Sequence, residues 1–202
     1  TRLLVCNRRT VHDMSPNYLD VTVNGDAAAV NFSPFGNYAV TPNSYSVAFD
    51  GSGDRLTAPS SASFAVGTVF TAEMWIYPMA SAGVLCSSDV AAGGLQIGWQ
   101  NSTTFGIAAS GVAWRLTTAS IPTLNTWSHI AAVRSGTGSN QTAIYINGAQ
   151  VALGTVSDAF TTTTGENIGG ASDSTAYYTG LISNLRITKG QALYTTTFTP
   201  ST

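Results

Sequence analysis

The stretch from Trp127 to Gly148 constrains the fold more than any other part of the chain. It reads WSHIAAVR, then a Gly/Ser/Asn loop, then AIYING. Apolar and smaller or polar positions take turns in both halves. Period-2 alternation puts successive side chains on opposite faces of a strand. Asn147-Gly148 then turns the chain into a third run, Ala149 to Thr155. Asn and Gly accept the positive φ that a two-residue hairpin turn requires. A second alternating run lies between Gly180 and Gly190.

The same grammar recurs along the chain. An apolar run at Leu3 to Cys6 predicts an N-terminal strand, and Leu19 to Val23 alternates up to a turn at Asn24-Gly25-Asp26. Residues Ala27 to Pro42 read as an irregular connection punctuated by Pro34, Gly36 and Pro42, with Phe32, Phe35 and Tyr38 as anchors. Tyr45 to Phe49 and Arg55 to Ala58 read as partner strands around the tight turn Asp50-Gly51-Ser52-Gly53-Asp54. Val69 to Tyr77 is the longest strong strand and stops at Pro78. Shorter strands follow at Gly83 to Ser87, Leu95 to Gln100, Thr104 to Ala109, Ala113 to Thr118, Asn167 to Gly170 and Leu181 to Thr188. Phe198-Thr199-Pro200 reads as a peptide packed on the outside. No ten-residue segment holds a 3.6 period. Short strands separated by turn signals predict an all-β, two-sheet antiparallel sandwich. One domain is expected over 1–202, with 1–44 as an N-terminal strand and wrapping segment and 45–198 as the sandwich core.

Composition narrows the partners. Of 202 residues, 44% are apolar, enough for one core, and only 9% are charged, against roughly a quarter in typical soluble domains. Ser, Thr, Asn and Gln must therefore supply the polar surface. The net charge is −2 and no basic cluster exists beyond Arg8-Arg9, which argues against nucleic acid as a partner. No apolar run approaches the roughly 20 residues of a membrane-crossing helix. The chain starts at Thr1 without a signal-peptide pattern and reads as a piece of a longer or processed polypeptide. Cys6 and Cys86 are expected as buried thiols, and a bridge between them stays open.

Catalytic groups are sparse. The histidines are His12 and His129 alone, and no G-x-S-x-G elbow occurs. His129 is expected as a core or groove histidine. Alternation places it on one face with Trp127, which is expected in the core. The His and Cys spacing does not suit a tetrahedral zinc site. Gly136-Thr137-Gly138 reads as a hairpin loop, not a phosphate cradle.

Several stretches together carry a family resemblance: YSVAFDGSGD from Tyr45, FTAEMWIYP from Phe70, WSHIAAVR from Trp127, IYING from Ile144 and GLISNLRI from Gly180. In this order they resemble the laminin-G-like branch of the concanavalin A-like lectin/glucanase superfamily. That resemblance implies a jelly-roll sandwich. The leader LLVCN from Leu3, VTVNGD from Val21, FSPF from Phe32 and the ending TKGQALY from Thr188 are similar to domains of tailed-phage and marine-virus structural proteins. This implies a non-catalytic virion module (tail fibre, appendage or capsid decoration) on the particle surface. Its partners would be other virion proteins and further copies of itself. The alternative is a lectin-like adhesion module for host surface glycan.

The resemblance also directs attention to particular residues. Related glucanases use carboxylates spaced along one strand so that they share a face. Glu73 and Glu166 are the only glutamates, and Glu73 has no second carboxylate at i+2 or i+4, so no enzyme is expected. Glu73 is expected on a solvated or partly covered face, with ligand contact as the sharper alternative. Trp99 and Trp114, with Gln96 nearby, are the candidates for stacking on a sugar. Laminin-G-like domains often hold calcium at a loop end, and calcium takes oxygen ligands. Asp50 and Asp54 are the candidates, followed by Asp89 and Asp173.

Overall fold

Alternation decides which face each strand buries, and the computed structural model describes the result for residues 1–35, 45–88, 93–171, 173 and 175–200. Among these residues there is no helix. The strands are β1 (Leu3–Val5), β2 (Thr22–Asn24), β3 (Ala28–Val30), β4 (Ser46–Asp50), β5 (Arg55–Ala58), β6 (Phe70–Pro78), β7 (Val84–Ser88) and β8 (Leu95–Asn101). They continue with β9 (Thr104–Ala109), β10 (Ala113–Thr118), β11 (Ser128–Arg134), β12 (Thr142–Ile146), β13 (Ala149–Gly154), β14 (Glu166–Ile168) and β15 (Thr179–Lys189). The major sheet runs β13-β12-β11-β6-β15-β4-β3, with β1 also paired to β15. The minor sheet runs β10-β9-β8-β7-β14-β5-β2. Every pairing is antiparallel. Two such layers bury their facing apolar rows against each other, the architecture expected of a sandwich.

The register makes the two faces of the minor sheet plain. One row across it reads Leu116, Ile107, Ile97, Cys86, Ile168 and Leu56. All of these face the core, where they meet Ala72, Met74 and Ile76 of β6 and Ile130 and Ala132 of β11. The next row reads Trp114, Ala108, Gln96, Ser87, Asn167 and Thr57. It belongs to the outer face.

The outer face of the major sheet is covered by the end of the chain. The Thr71 hydroxyl donates to the Gln191 carbonyl at 3.0 Å and accepts from the Leu193 N–H at 2.9 Å. Tyr194 and Phe198 stack on each other with centroids 3.6 Å apart. Both pack against Ala131, Val133, Ala143 and Tyr145. The Asn147-Gly148 turn makes room for this segment. Gly148 has φ +79°, and a Cβ there would collide with the Phe198 carbonyl. The Phe198 N–H donates to the Gly148 carbonyl at 3.1 Å.

Four expectations are corrected. Tyr45 to Phe49 and Arg55 to Ala58 are not partners. β4 lies in the major sheet and β5 in the minor one, so the turn from Asp50 to Asp54 crosses between layers. The connection after Ala27 contains a strand, β3, paired to β4. Trp127 is not in the core. It is half-buried on the outer face of the major sheet, 5.6 Å from both the Tyr77 and the Phe32 rings. Trp99, expected on a groove, is 5% exposed inside the core, stacked on Tyr178 at 6.0 Å and edge-on to Phe105 at 5.0 Å. Of the remaining expectations, those for Gly36, Tyr38, Pro42 and Asp89 lie outside the described residues.

Candidate ligand site

The outer face of the minor sheet carries an open depression of about 250 Å³ at its β8–β9–β10 end. Gln96 of β8, Ala108 of β9 and Trp114 of β10 lie side by side across it through the ladder register. Val112, 63% exposed, rises at the β9–β10 turn on its rim. Two of the four candidate ligand residues are therefore brought together: Trp114 and Gln96, both half-buried. The small Ala108 between them leaves part of Trp114 open to the depression. Gln96 is held from beneath. Its Oε1 accepts from the Ser110 hydroxyl at 3.4 Å, and Ser110 pairs with the Ser87 hydroxyl at 3.0 Å. Among the described residues, no ionisable side chain lines the depression. Next in the chain to Trp114, Arg115 clamps Asp158 with both Nε and Nη2, at 2.7 and 2.9 Å, so these two charges offset each other.

Trp114 reaches this face because of a bulge. The β9–β10 register shifts between Trp114 and Leu116. Without it, the two even-numbered residues would share a face. With it, Leu116 pairs with Ile107 on the inner row and Trp114 pairs with Ala108 on the outer one. Bulges of this kind re-aim a side chain.

Glu73 and Trp99 lie away from the depression. Glu73 is 5% exposed on the outer face of the major sheet, beneath the C-terminal segment. Arg186 Nε donates to its Oε1 at 2.7 Å, and the Tyr194 hydroxyl donates to its Oε2 at 2.7 Å. His129 Nε2 lies 3.3 Å from Oε2. Burial pushes the Glu73 carboxyl up, but His129, Tyr194 and Arg186 together outweigh it and hold the carboxyl below its usual range. Burial and the Glu73 partner push the Tyr194 phenol up to about 12. The cluster therefore anchors the C-terminal segment. Glu166 lies on the other sheet with its side chain toward the core, accepting from the Ser88 hydroxyl at 2.7 Å. Burial pushes its carboxyl up to about 8. The two glutamates thus occupy opposite layers and cannot act as an acid–nucleophile pair across one cleft.

The calcium candidates Asp50 and Asp54 do meet, and a third carboxylate joins them. Ligand oxygens of Asp26, Asp50 and Asp54 all lie within 4.8 Å of one another. Asp54 is buried and braces both neighbours: its Oδ1 accepts from the Asp26 N–H at 2.8 Å and its Oδ2 from the Asp50 N–H at 3.0 Å. Gly25, at φ +73°, admits this approach, since a Cβ there would strike Asp54 Oδ1. A hydrogen bond to Asp54 and repulsion from Asp54 and Asp50 push the exposed Asp26 carboxyl up. An all-oxygen donor set suits a hard cation such as calcium. Asp26 was legible as a turn residue only. Its meeting with Asp54 depends on β2 pairing β5, a contact between distant residues. Asp173 stands apart, capping its own turn through Thr175.

A sequence model of the concanavalin A-like lectin/glucanases superfamily matches residues 50–193. No curated protein matches the sequence. Solved structures do match the fold. The binding domain of botulinum neurotoxin DC in complex with SialylT superposes with a TM-score of 0.70 at 15% identity, covering 95% of this chain and 48% of that one. The serotype D binding domain gives 0.71 at 13% identity, with 95% and 48% covered. The chain thus spans about half the length of these toxin domains. Domain 4 of AbnA, a GH43 extracellular arabinanase from Geobacillus stearothermophilus, in complex with arabinotriose, gives 0.63 at 18% identity, with 94% and 95% covered.

Proposed function

The chain belongs to the concanavalin A-like lectin/glucanase superfamily, and on that premise we propose that it is a non-catalytic glycan-binding module. The Trp114–Gln96 depression is its ligand surface. The observation that carries this reading is the half-buried Trp114 in the lining beside an amide and small residues, with no ionisable group among the described lining residues. An indole face matches the apolar C–H face of a pyranose, and the Gln96 amide can bond a ring hydroxyl. An uncharged lining favours neutral sugars, since a carboxylate desolvated there would find no partner. Solved neighbours include domains in complex with SialylT and with arabinotriose; they support a binding role for this fold. A glycan array tests the reading. Neutral glycans should bind, and Trp114→Ala should weaken them by about tenfold or more, the equivalent of about 1.4 kcal/mol. An empty array, or affinity untouched by Trp114→Ala, would remove the proposal. Calcium at Asp26, Asp50 and Asp54 is proposed as a stabiliser of the loops, away from the ligand surface.

A second reading, a structural module of a virus particle, is compatible with the first. It draws support from the phage-like leader and ending, both of which engage the major sheet through β1 and through the Tyr194–Phe198 segment. It expects self-association and affinity for other virion proteins, and localisation to the particle. A monomer at high concentration in analytical ultracentrifugation would speak against it.

A further inference from the structure

On the major sheet, a second and smaller pocket lies between the β12–β13 hairpin and the C-terminal segment. Its volume is about 60 Å³. Val133, Ala143 and the Tyr145 ring form its floor, and Leu153 and Tyr194 are apolar walls. Gln150 and Asn140 stand at the rim. We propose that this pocket is a second saccharide subsite that takes the edge of one neutral sugar unit. It shares no residue with the Trp114 depression, so it does not depend on that reading.

Three observations carry the assignment. The first is size. One water needs about 10–15 Å³ of such cavity volume, so the pocket admits a few groups of that size. That suits a hydroxymethyl arm and neighbouring hydroxyls on one side of a ring. The second is chemistry. The Gln150 Oε1 accepts from the Tyr145 hydroxyl at 3.4 Å, which leaves the Gln150 amide free to donate outward. Leu153, 47% exposed, offers an apolar lip beside it. None of the described lining residues is ionisable except the two tyrosines, Tyr145 and Tyr194, and the tyrosine phenols are pushed above their ordinary value by burial. A carboxylate entering the pocket would lose its water and gain no cation.

The third is rigidity. The Tyr194 wall is pinned by its hydroxyl on Glu73, by its stack on Phe198 and by the Leu193 N–H on Thr71. The surface is shaped before a ligand arrives, which lowers the ordering cost of binding.

The test is an NMR titration of the whole chain with galactose, arabinose and galacturonate, each to tens of millimolar. Galacturonate keeps the galactose ring and replaces its hydroxymethyl arm with a carboxylate. Support is a shift of the Gln150, Leu153 and Tyr194 amides with a neutral sugar, an absent or much weaker shift with galacturonate, and persistence in Trp114→Ala. Gln150→Ala, at an exposed position, should weaken the response by about fivefold, what the loss of one neutral hydrogen bond is worth. Asn140→Gly, which keeps the positive φ of that residue, should weaken it too. The proposal falls if no neutral sugar moves these amides, if galacturonate moves them equally, or if both rim variants respond like the parent chain.

Discussion

Glu73 and Glu166 show how one residue type takes opposite behaviour from its surroundings. Glu73 has three partners that favour its charge, so its folded value lies below the ordinary 4.5. Its contribution to stability is present above that ordinary value and is lost as pH falls through the folded one. Glu166 is buried with one hydroxyl and one thiol beside it, and its folded value rises to about 8. Its contribution is complete below 4.5 and is lost as pH rises toward about 8. Stability should therefore decline across that window, by up to about 1.4 kcal/mol per pH unit from this one group. Glu166→Gln should flatten the decline in thermal unfolding scans; an unchanged pH slope would show that the carboxyl is not held neutral. Among the tryptophans, parity was legible for two. Trp99 shares odd numbering with Leu95 and Ile97 and joins them in the core. Trp127 is out of step with Ile130 and lies outside. For Trp114 parity misleads, because the bulge before Leu116 reverses it. A bulge leaves no mark in a period-2 pattern.

At the scale of elements, most strands were readable to within a residue or two, but β3 was missed, β2 begins three residues later than expected, and partners were legible only for the hairpins β11–β12 and β12–β13. Local alternation says where a strand lies, while pairing is decided by which apolar rows meet across the fold. The Asp50–Asp54 turn is the clearest case. Its composition signals a tight reversal, yet it carries the chain from one sheet to the other. That crossing is what presses Asp54 against Asp26. Calcium should raise the melting temperature of the protein, and Asp26→Asn should reduce the rise; no response to millimolar calcium would argue against a cation there. The C-terminal segment makes a separate prediction. Tyr194→Ala removes a ring that covers Ala131, Val133 and Tyr145 and strips Glu73 of a donor. It should cost about 2–3 kcal/mol in denaturant unfolding. A change within about 0.5 kcal/mol, the usual size for surface substitutions, would mean that the segment does not stabilise the sheet.

For the whole molecule, two layers follow from binary patterning, and the family motifs follow the same strands. A ligand surface follows from less regular features: a bulge, a run of small residues and a turn that leaves Val112 exposed. The sugar-stacking expectation thus split, with Trp114 and Gln96 on one open face and Trp99 and Glu73 packed away from it. The four tryptophan indoles offer a direct readout, because they occupy four different environments. Neutral glycan from a positive array is titrated while the indole N–H signals are followed by NMR. The signal of Trp114 should move with saturable dependence on glycan, and those of Trp75, Trp99 and Trp127 should stay in place. Movement of the Trp75 or Trp127 signal with Trp114 fixed would place the ligand away from the Trp114 depression and contradict the account.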